Sequence, residues 1–153
     1  MGMFEDVGAF HRKFGLDRSD AGPPKLLSEG DSKFRFDFMM EELLEYKLAV
    51  EEGSLQKAAD ALLDLVYVAL GTGHMMGLPW GELWDTVQRA NMAKERATGG
   101  DDDRSKRKNS LDVVKPAGWK PPDADQRAIL NRRIAWWYDE MNAGKPVGDH
   151  DGR

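Results

Sequence analysis

Five acidic side chains carry the strongest chemical signal in this sequence. Two of them, Asp60 and Asp64, lie within residues 58–70, a segment that is otherwise almost wholly apolar. A spacing of four puts both on one face of a helix, and their apolar neighbours predict a helix buried on most of its surface. Ionised carboxylates are costly to bury without partners, and two together repel each other. A cation must compensate, either a basic side chain in a structural ion-pair or capping network, or a metal ion. The spacing alone favours neither.

The other three acids stand in Glu41-Glu42-Leu43-Leu44-Glu45. At about 100° per residue Glu41 and Glu45 lie close together, and Glu42 lies about 60° from Glu45. Taken by itself this segment reads as a solvated acidic face. Set on consecutive antiparallel helices, the two segments can bring all five carboxylates together across one helix pair, and hard oxygen donors of this kind suit magnesium or manganese. A di-iron centre in a helical bundle uses a histidine three residues after a glutamate on two helices. Here those positions hold Leu44 and Glu45, and the three histidines are His11, His74 and His150. Magnesium is the better reading. A third cluster, residues 88–96, holds Asn91 and Lys94 three apart, so they can face one direction. An amide can read a base or sugar, and a lysine can meet a phosphate as a point charge. An ordinary exposed helix end, whose basic residues complement the dipole, explains the same residues.

These groups need helices to position them. Phe4, Val7, Phe10 and Phe14 recur at helical spacing and predict a first helix over residues 3–14, stopped at Gly15. Residues 17–31, with Gly22, Pro23, Pro24 and Gly30, read as an ordered or semi-ordered loop. A second helix is expected from Asp31 or Ser32 to Glu52, with an apolar stripe of Phe34, Phe38, Leu44 and Leu48. A third, the most apolar, covers 55–76, and a fourth runs from Pro79 in its first turn to Arg96. Short links between long helices predict an all-α antiparallel bundle. Residues 98–109, rich in glycine and charge, read as a mobile loop, and residues 115–122 as extended or turn-like. A last helix over 123–141 carries Ile129, Leu130, Ile134, Trp136 and Trp137. This makes one domain over 1–141, followed by a disordered tail over 142–153. Neither an internal repeat nor a β-alternation of any length is visible.

Composition agrees. Of 153 residues, 41% are apolar and 32% charged, the mixture of a globular chain. A net charge of -5 argues against a binder of polymeric nucleic acid, while a free nucleotide fits if metal ions offset the acids locally. The absence of cysteine rules out disulfides and thiolate metal sites and fits a reducing compartment. Glu5, Asp6 and His11 break up the first residues, which do not read as a signal peptide. No run approaches the roughly 20 apolar residues that cross a bilayer. The expected location is the cytoplasm, and no membrane partner is expected.

In this order the three clusters resemble the MazG-like and phosphoribosyl-ATP pyrophosphohydrolase-like families of the all-α NTP pyrophosphatase superfamily. The family pattern is Glu-Glu-x-x-Glu on one helix and an acidic pair on the next, here Glu41-Glu42-Leu43-Leu44-Glu45 and Asp60-Ala61-Leu62-Leu63-Asp64. The likeness extends to small phage and bacterial members, through Phe10-His11-Arg12-Lys13-Phe14-Gly15-Leu16, the 60–73 segment, Asn91-Met92-Ala93-Lys94, and the Lys-Pro-x-Gly-aromatic segment that starts at Lys115 and includes Trp119. It covers roughly residues 3–123. The usual second motif is Glu-x-x-Asp, and its glutamate falls at Ala61, which cannot bind metal. Asp64 is therefore supported more strongly than Asp60, and the number of metals stays open.

The resemblance implies magnesium-dependent cleavage of a nucleoside triphosphate, between its α- and β-phosphates, to the monophosphate and pyrophosphate. Glu42, Glu45 and Asp64 are the expected direct ligands, with Asp60 completing the site. Glu41 is expected to bind a second metal or orient the attacking water, so Glu41, Glu42, Glu45 and Asp64 form the catalytic set. Lys94 would hold phosphate oxygens and Asn91 the sugar or base. The resemblance and side-chain chemistry together give Lys115 a role in closing over the phosphates and Trp119 a role in stacking on the base. Members of the superfamily assemble as homodimers or homotetramers, which fits an apolar third helix that one small chain does not cover. The Trp136-Trp137 helix would strengthen a dimer or cap its own core. Two rivals remain: a non-catalytic nucleotide-binding or structural helical module, and phosphoribosyl-ATP hydrolysis. The preferred base and sugar stay open, and the setting is the host cytoplasm if the chain is phage-encoded.

Overall fold

A computed structural model of the chain describes residues 2–16 and 22–144. Five helices make up most of them: α1 (Met3–Lys13), α2 (Glu29–Glu51), α3 (Leu55–Met75), α4 (Trp80–Met92) and α5 (Asp123–Asn142). The all-α bundle expected from the periodicity is what forms. None of these helices is long and apolar enough to cross a membrane.

Ser28 starts α2 two residues ahead of the expected position. Its hydroxyl accepts the Asp31 N–H at 3.1 Å and donates to the Asp31 carboxylate at 2.8 Å. That satisfies one orphan donor of the first turn, and Gly30 is carried inside the helix. At the other end Gly53, at φ +70°, lets the chain reverse at once. The Gly53 N–H donates to Val50 O and the Ser54 N–H to Ala49 O, the paired bonds of a Schellman stop. Ser54 then caps α3 by accepting the Lys57 N–H. This tight reversal makes α2 and α3 antiparallel neighbours. α1 and α3 end on the same pair of bonds, at Gly15 and Gly77. The remaining shifts of helix ends, at Lys13, Glu51, Met75 and Asn142, amount to one residue each.

α1 lies on α3, burying Val7, Gly8 and His11. Gly71 and Gly73 make the approach possible. A Cβ on Gly71 would stand 2.5 Å from His11 Nε2, and one on Gly73 would stand 2.6 Å from the Trp80 ring. Trp80, at the start of α4, stacks on Phe4 of α1 with ring centres 5.6 Å apart. α5 then packs on α4, where Glu82 pairs with Arg132 and Arg133, and Arg89 pairs with Asp125.

Three expectations change. First, α4 ends at Met92 and not at Arg96. Glu95–Arg96 (β1) pairs antiparallel with Val113–Val114 (β2), because Val114 and Ala97 are buried there and the Ala97 N–H donates to Asp112 O. Two residues per strand are too few for alternation to reveal them. Second, residues 98–109, read as a mobile loop, are closed by hydrogen bonds of their own. Asp102 accepts from the Thr98 N–H and the Arg104 guanidinium, and Asp112 accepts from the Ser105 hydroxyl at 2.8 Å and from Arg107 at 2.7 Å. Third, α3 is not buried on most of its surface: Leu63 is 67% exposed, and Leu62, Val66 and Tyr67 are exposed too. Most of the α2 stripe likewise faces outward, with Phe34 61% and Leu48 56% exposed, while Phe38 is half-buried. The reason is that α2 turns a different, partly charged face to α3. The expected disordered tail lies, from residue 145 on, outside the described residues.

Candidate active site

The buried residues of α2 are Arg35, Glu42 and Ala49, each seven after the last. A seven-residue repeat is the seam by which one helix meets another. On α3, Ala61 and Val68 are buried at the same spacing. Small side chains allow a close approach, and Ala49 and Ala61 are each 2% exposed. Two of the three seam positions on α2 are thus charged, an arrangement that costs stability unless something compensates.

Glu42 is the centre of the acidic cluster. It is 8% exposed, and burial raises its carboxyl above the ordinary range. The charges of Asp64, Glu45, Glu41 and Asp60 push it further in the same direction. The two acidic segments therefore meet across the α2–α3 pair, around one buried member, while Glu41, Glu45, Asp60 and Asp64 are exposed on this chain. Of the five acids brought together, Glu42 alone is withdrawn from solvent on this chain. Among the described residues none of the five enters an ion pair; the neighbouring pairs are Lys33–Asp37, Lys47–Glu51 and Lys57–Glu52. The compensating basic side chains that a structural network requires are not in this set.

Oxygen donors gathered around one buried carboxylate match the chemistry of a hard divalent cation. As they stand, no three histidine or carboxylate side chains among the described residues are close enough to share one ion. Like charges favour such separation, since each disfavours ionisation of the other.

The second cluster assembles at the end of α4. Lys94 Nζ donates to Asn91 Oδ1 at 2.8 Å, so the two residues do face one direction, although Lys94 stands just past the helix. The Trp119 indole N–H donates to Ala90 O at 2.7 Å and ties residues 115–119 to that helix end. Two ammonium groups lie by the same ring, Lys115 at 4.3 Å and Lys94 at 5.8 Å from its centre. The structure thus brings Asn91, Lys94, Lys115 and Trp119 together. It also gives Trp119 a role that the sequence did not suggest, holding two cations. No hydrogen bond or ion pair among the described residues joins this cluster to the acids.

Sequence reasoning missed Arg35, whose signal was the 35–42–49 repeat. It also missed the contact of His11 with His74, whose rings lie 5.5 Å apart at 76°. His11 is 3% exposed, and nothing in its local sequence marks it as buried.

A helical bundle with carboxylates facing one another across its second and third helices defines the class of all-α NTP pyrophosphatases. Within it, the family model for phosphoribosyl-ATP pyrophosphohydrolase matches residues 7–91, more than half of the chain, and the chain belongs to that family. The match spans α1 to α4 and includes every acid of the cluster. A stretch of 77 residues is also 34% identical to an uncharacterized protein of Acanthamoeba polyphaga mimivirus. That match covers 49% of this chain and 31% of the viral protein, so the chain spans about a third of that relative's length.

Proposed function

We propose that this chain is a magnesium-dependent pyrophosphohydrolase that cleaves a nucleoside triphosphate to its monophosphate and pyrophosphate. The observation that carries the reading is Glu42, buried between α2 and α3 with four further carboxylates acting on it and no basic group among them. Membership of a pyrophosphohydrolase family supports the same reaction class.

Glu42, Glu45 and Asp64 would hold magnesium, with Asp60 at the edge of the site. When bound, the metal supplies charge neutralisation for the triphosphate and a more acidic water. Glu41, exposed and next to Glu42, orients the attacking water and takes its proton. The new bond joins the water oxygen to the α-phosphorus; the bond to the α–β bridging oxygen breaks, and pyrophosphate leaves. Lys94 and Lys115, gathered on Trp119, hold phosphate oxygens as point charges, and Asn91 contacts the sugar or base. The two clusters act on one substrate if a second copy of the chain covers the outward apolar faces of α2 and α3, so the working form is a homodimer or homotetramer.

The test is a panel of deoxy- and ribonucleoside triphosphates, with phosphoribosyl-ATP included, incubated with the protein and magnesium and with products resolved. Pyrophosphate release that Glu45→Gln or Asp64→Asn abolishes, with the fold retained, is the expected result. Orthophosphate release would place the cleavage elsewhere. Binding without turnover would favour a non-catalytic nucleotide module. Turnover of phosphoribosyl-ATP alone would favour the second substrate reading, which the family match makes a specific rival.

A further inference from the structure

We propose that Arg35 is a positioning residue for the carboxylate site, locking the register of α2 against α3 so that Glu42 meets Asp64. The inference rests on the function proposed above and adds to it a residue that is not one of the acids.

Arg35 is 7% exposed and lies on the seam two turns before Glu42, about 10 Å along the axis at 1.5 Å per residue. Its guanidinium reaches across to α3. Nη2 donates to Val68 O at 2.6 Å, and Nε donates to Thr72 Oγ1 at 3.0 Å. The Thr72 hydroxyl in turn donates to Val68 O at 2.9 Å, closing a small ring of bonds. Val68 is one turn beyond Asp64 and Thr72 is two. Because the helices run antiparallel, moving back along α2 from Glu42 matches moving forward along α3 from Asp64. The arginine therefore measures the register directly.

The site around the guanidinium is shaped for it. Gly71 supplies the room, since a Cβ there would stand 3.0 Å from Nη2. The guanidinium carbon lies 5.6 Å from the centre of the Phe38 ring. Burial pushes the Arg35 pKa down, and the bonding partners are a neutral carbonyl and a hydroxyl. A leucine there would bury at less cost. What the arginine adds is direction, two donors fixed in one plane. A slip of one residue along α3 turns its side chains by about 100°, which would carry Asp64 out of reach of Glu42. An assembled metal site tolerates only about 0.5 Å of error, and side-chain rotation can bring Glu42, Glu45 and Asp64 onto one ion only from the right register, so register governs affinity.

The experiment compares the full chain with Arg35→Met, Arg35→Lys and Thr72→Val. Manganese binding without nucleotide is followed by electron paramagnetic resonance, and pyrophosphate release is followed against magnesium concentration. For folded Arg35→Met we expect a manganese Kd raised at least about tenfold, in the range seen for groups that orient metal ligands. The magnesium needed for half-maximal rate should rise in parallel, kcat should recover at saturating metal, and the nucleotide KM should hold. Arg35→Lys, keeping a cation and a donor, should restore part of the affinity. Thr72→Val keeps the side-chain shape and removes the Nε acceptor. It should shift the Kd in the same direction by roughly threefold, and it answers the question even if Arg35→Met does not fold. Folded variants that melt earlier but bind manganese as the wild type does would overturn the proposal and leave a merely structural arginine. A wild type that binds no manganese and releases no pyrophosphate would instead overturn the function proposed above, and this inference with it.

Discussion

Asp64 of α3 is the strongest of the charges acting on Glu42 of α2, and both are negative. Two like charges facing each other across a helix pair disfavour the ionised state of the buried one. Burial first, and these charges after it, make Glu42 hold its proton to higher pH in the folded chain than in the unfolded chain. Between the ordinary value of 4.5 and the raised one, the native state binds more protons. Stability must then fall as pH rises through that window. Glu42→Gln removes the penalty, so in metal-free buffer it should melt above the wild type at pH 7 and level with it below pH 4.5. Thermal melts at the two pH values check this; a variant that melts lower at pH 7 counts against it. Adding magnesium at pH 7 should stabilise the wild type and not the variant.

The caged loop responds to pH with the opposite sign. The Ser105 hydroxyl, and then Arg107, hold the Asp112 carboxyl below its ordinary 3.8, while Arg104 and the Thr98 N–H hold Asp102 lower still. A depressed pKa contributes stability that is complete above the unfolded value and is lost as pH falls below it. Hydrogen exchange at Ala97 and Val113 should be protected at neutral pH and accelerate as pH drops through the range below 3.8, once the intrinsic pH dependence is removed. Ser105→Ala should speed exchange at these two amides by roughly fivefold at neutral pH.

The hydrogen bond of Trp119 can be separated from its aromatic face by a small change. Trp119→Phe keeps an aromatic face and removes the indole N–H that binds Ala90 O. Loss of one such bond costs about 1 kcal/mol, or a fall in Tm of roughly 2–4 °C for a chain of this size. The segment carrying Lys115 loses its tie to the end of α4, so Lys115 is held less firmly beside Lys94 and the nucleotide KM should rise while kcat changes little. Calorimetry and steady-state kinetics read the two effects separately.

Gly71 and Gly81 make a matched pair. A Cβ at Gly71 meets His11 Nε2 at 2.5 Å and Arg35 Nη2 at 3.0 Å, whereas one at Gly81 meets nothing within 4 Å. Gly71→Ala should cost about 1–3 kcal/mol through overpacking. Gly81→Ala, in an open helical position, should stabilise by about 0.4–1 kcal/mol. Urea melts of both variants check the signs, and equal effects would contradict the close approach of α1, α2 and α3.

The outward stripe of α2 offers a test of assembly. Leu44 and Leu48 are more than half exposed on the single chain. Leu44→Glu with Leu48→Glu should lower the oligomeric state in sedimentation without unfolding the helices. If the two clusters act only across copies, activity should fall in step. An unchanged sedimentation coefficient would show that this face is not the contact.

The helices, their order and the acidic spacing could be read from the chain, because those features repeat within one element. Glu41, Glu42, Glu45, Asp60 and Asp64 announced themselves by type and period, and Gly15 announced the stop of α1 by its type. Period alone does not say which face of a helix meets its neighbour. Phe34, Phe38, Leu44 and Leu48 form a real stripe, yet α3 packs against Arg35, Glu42 and Ala49. Close approach at Ala49 and Ala61, and the reach of Arg35 to Val68, outweigh the apolar pattern on this single chain. The β1–β2 pair and the caged Asp102 and Asp112 escaped notice for a related reason. Glu95 and Val114 pair across nineteen positions, and the partners of Asp102 and Asp112, two to seven positions away, sit in an irregular loop; neither arrangement leaves a period to detect.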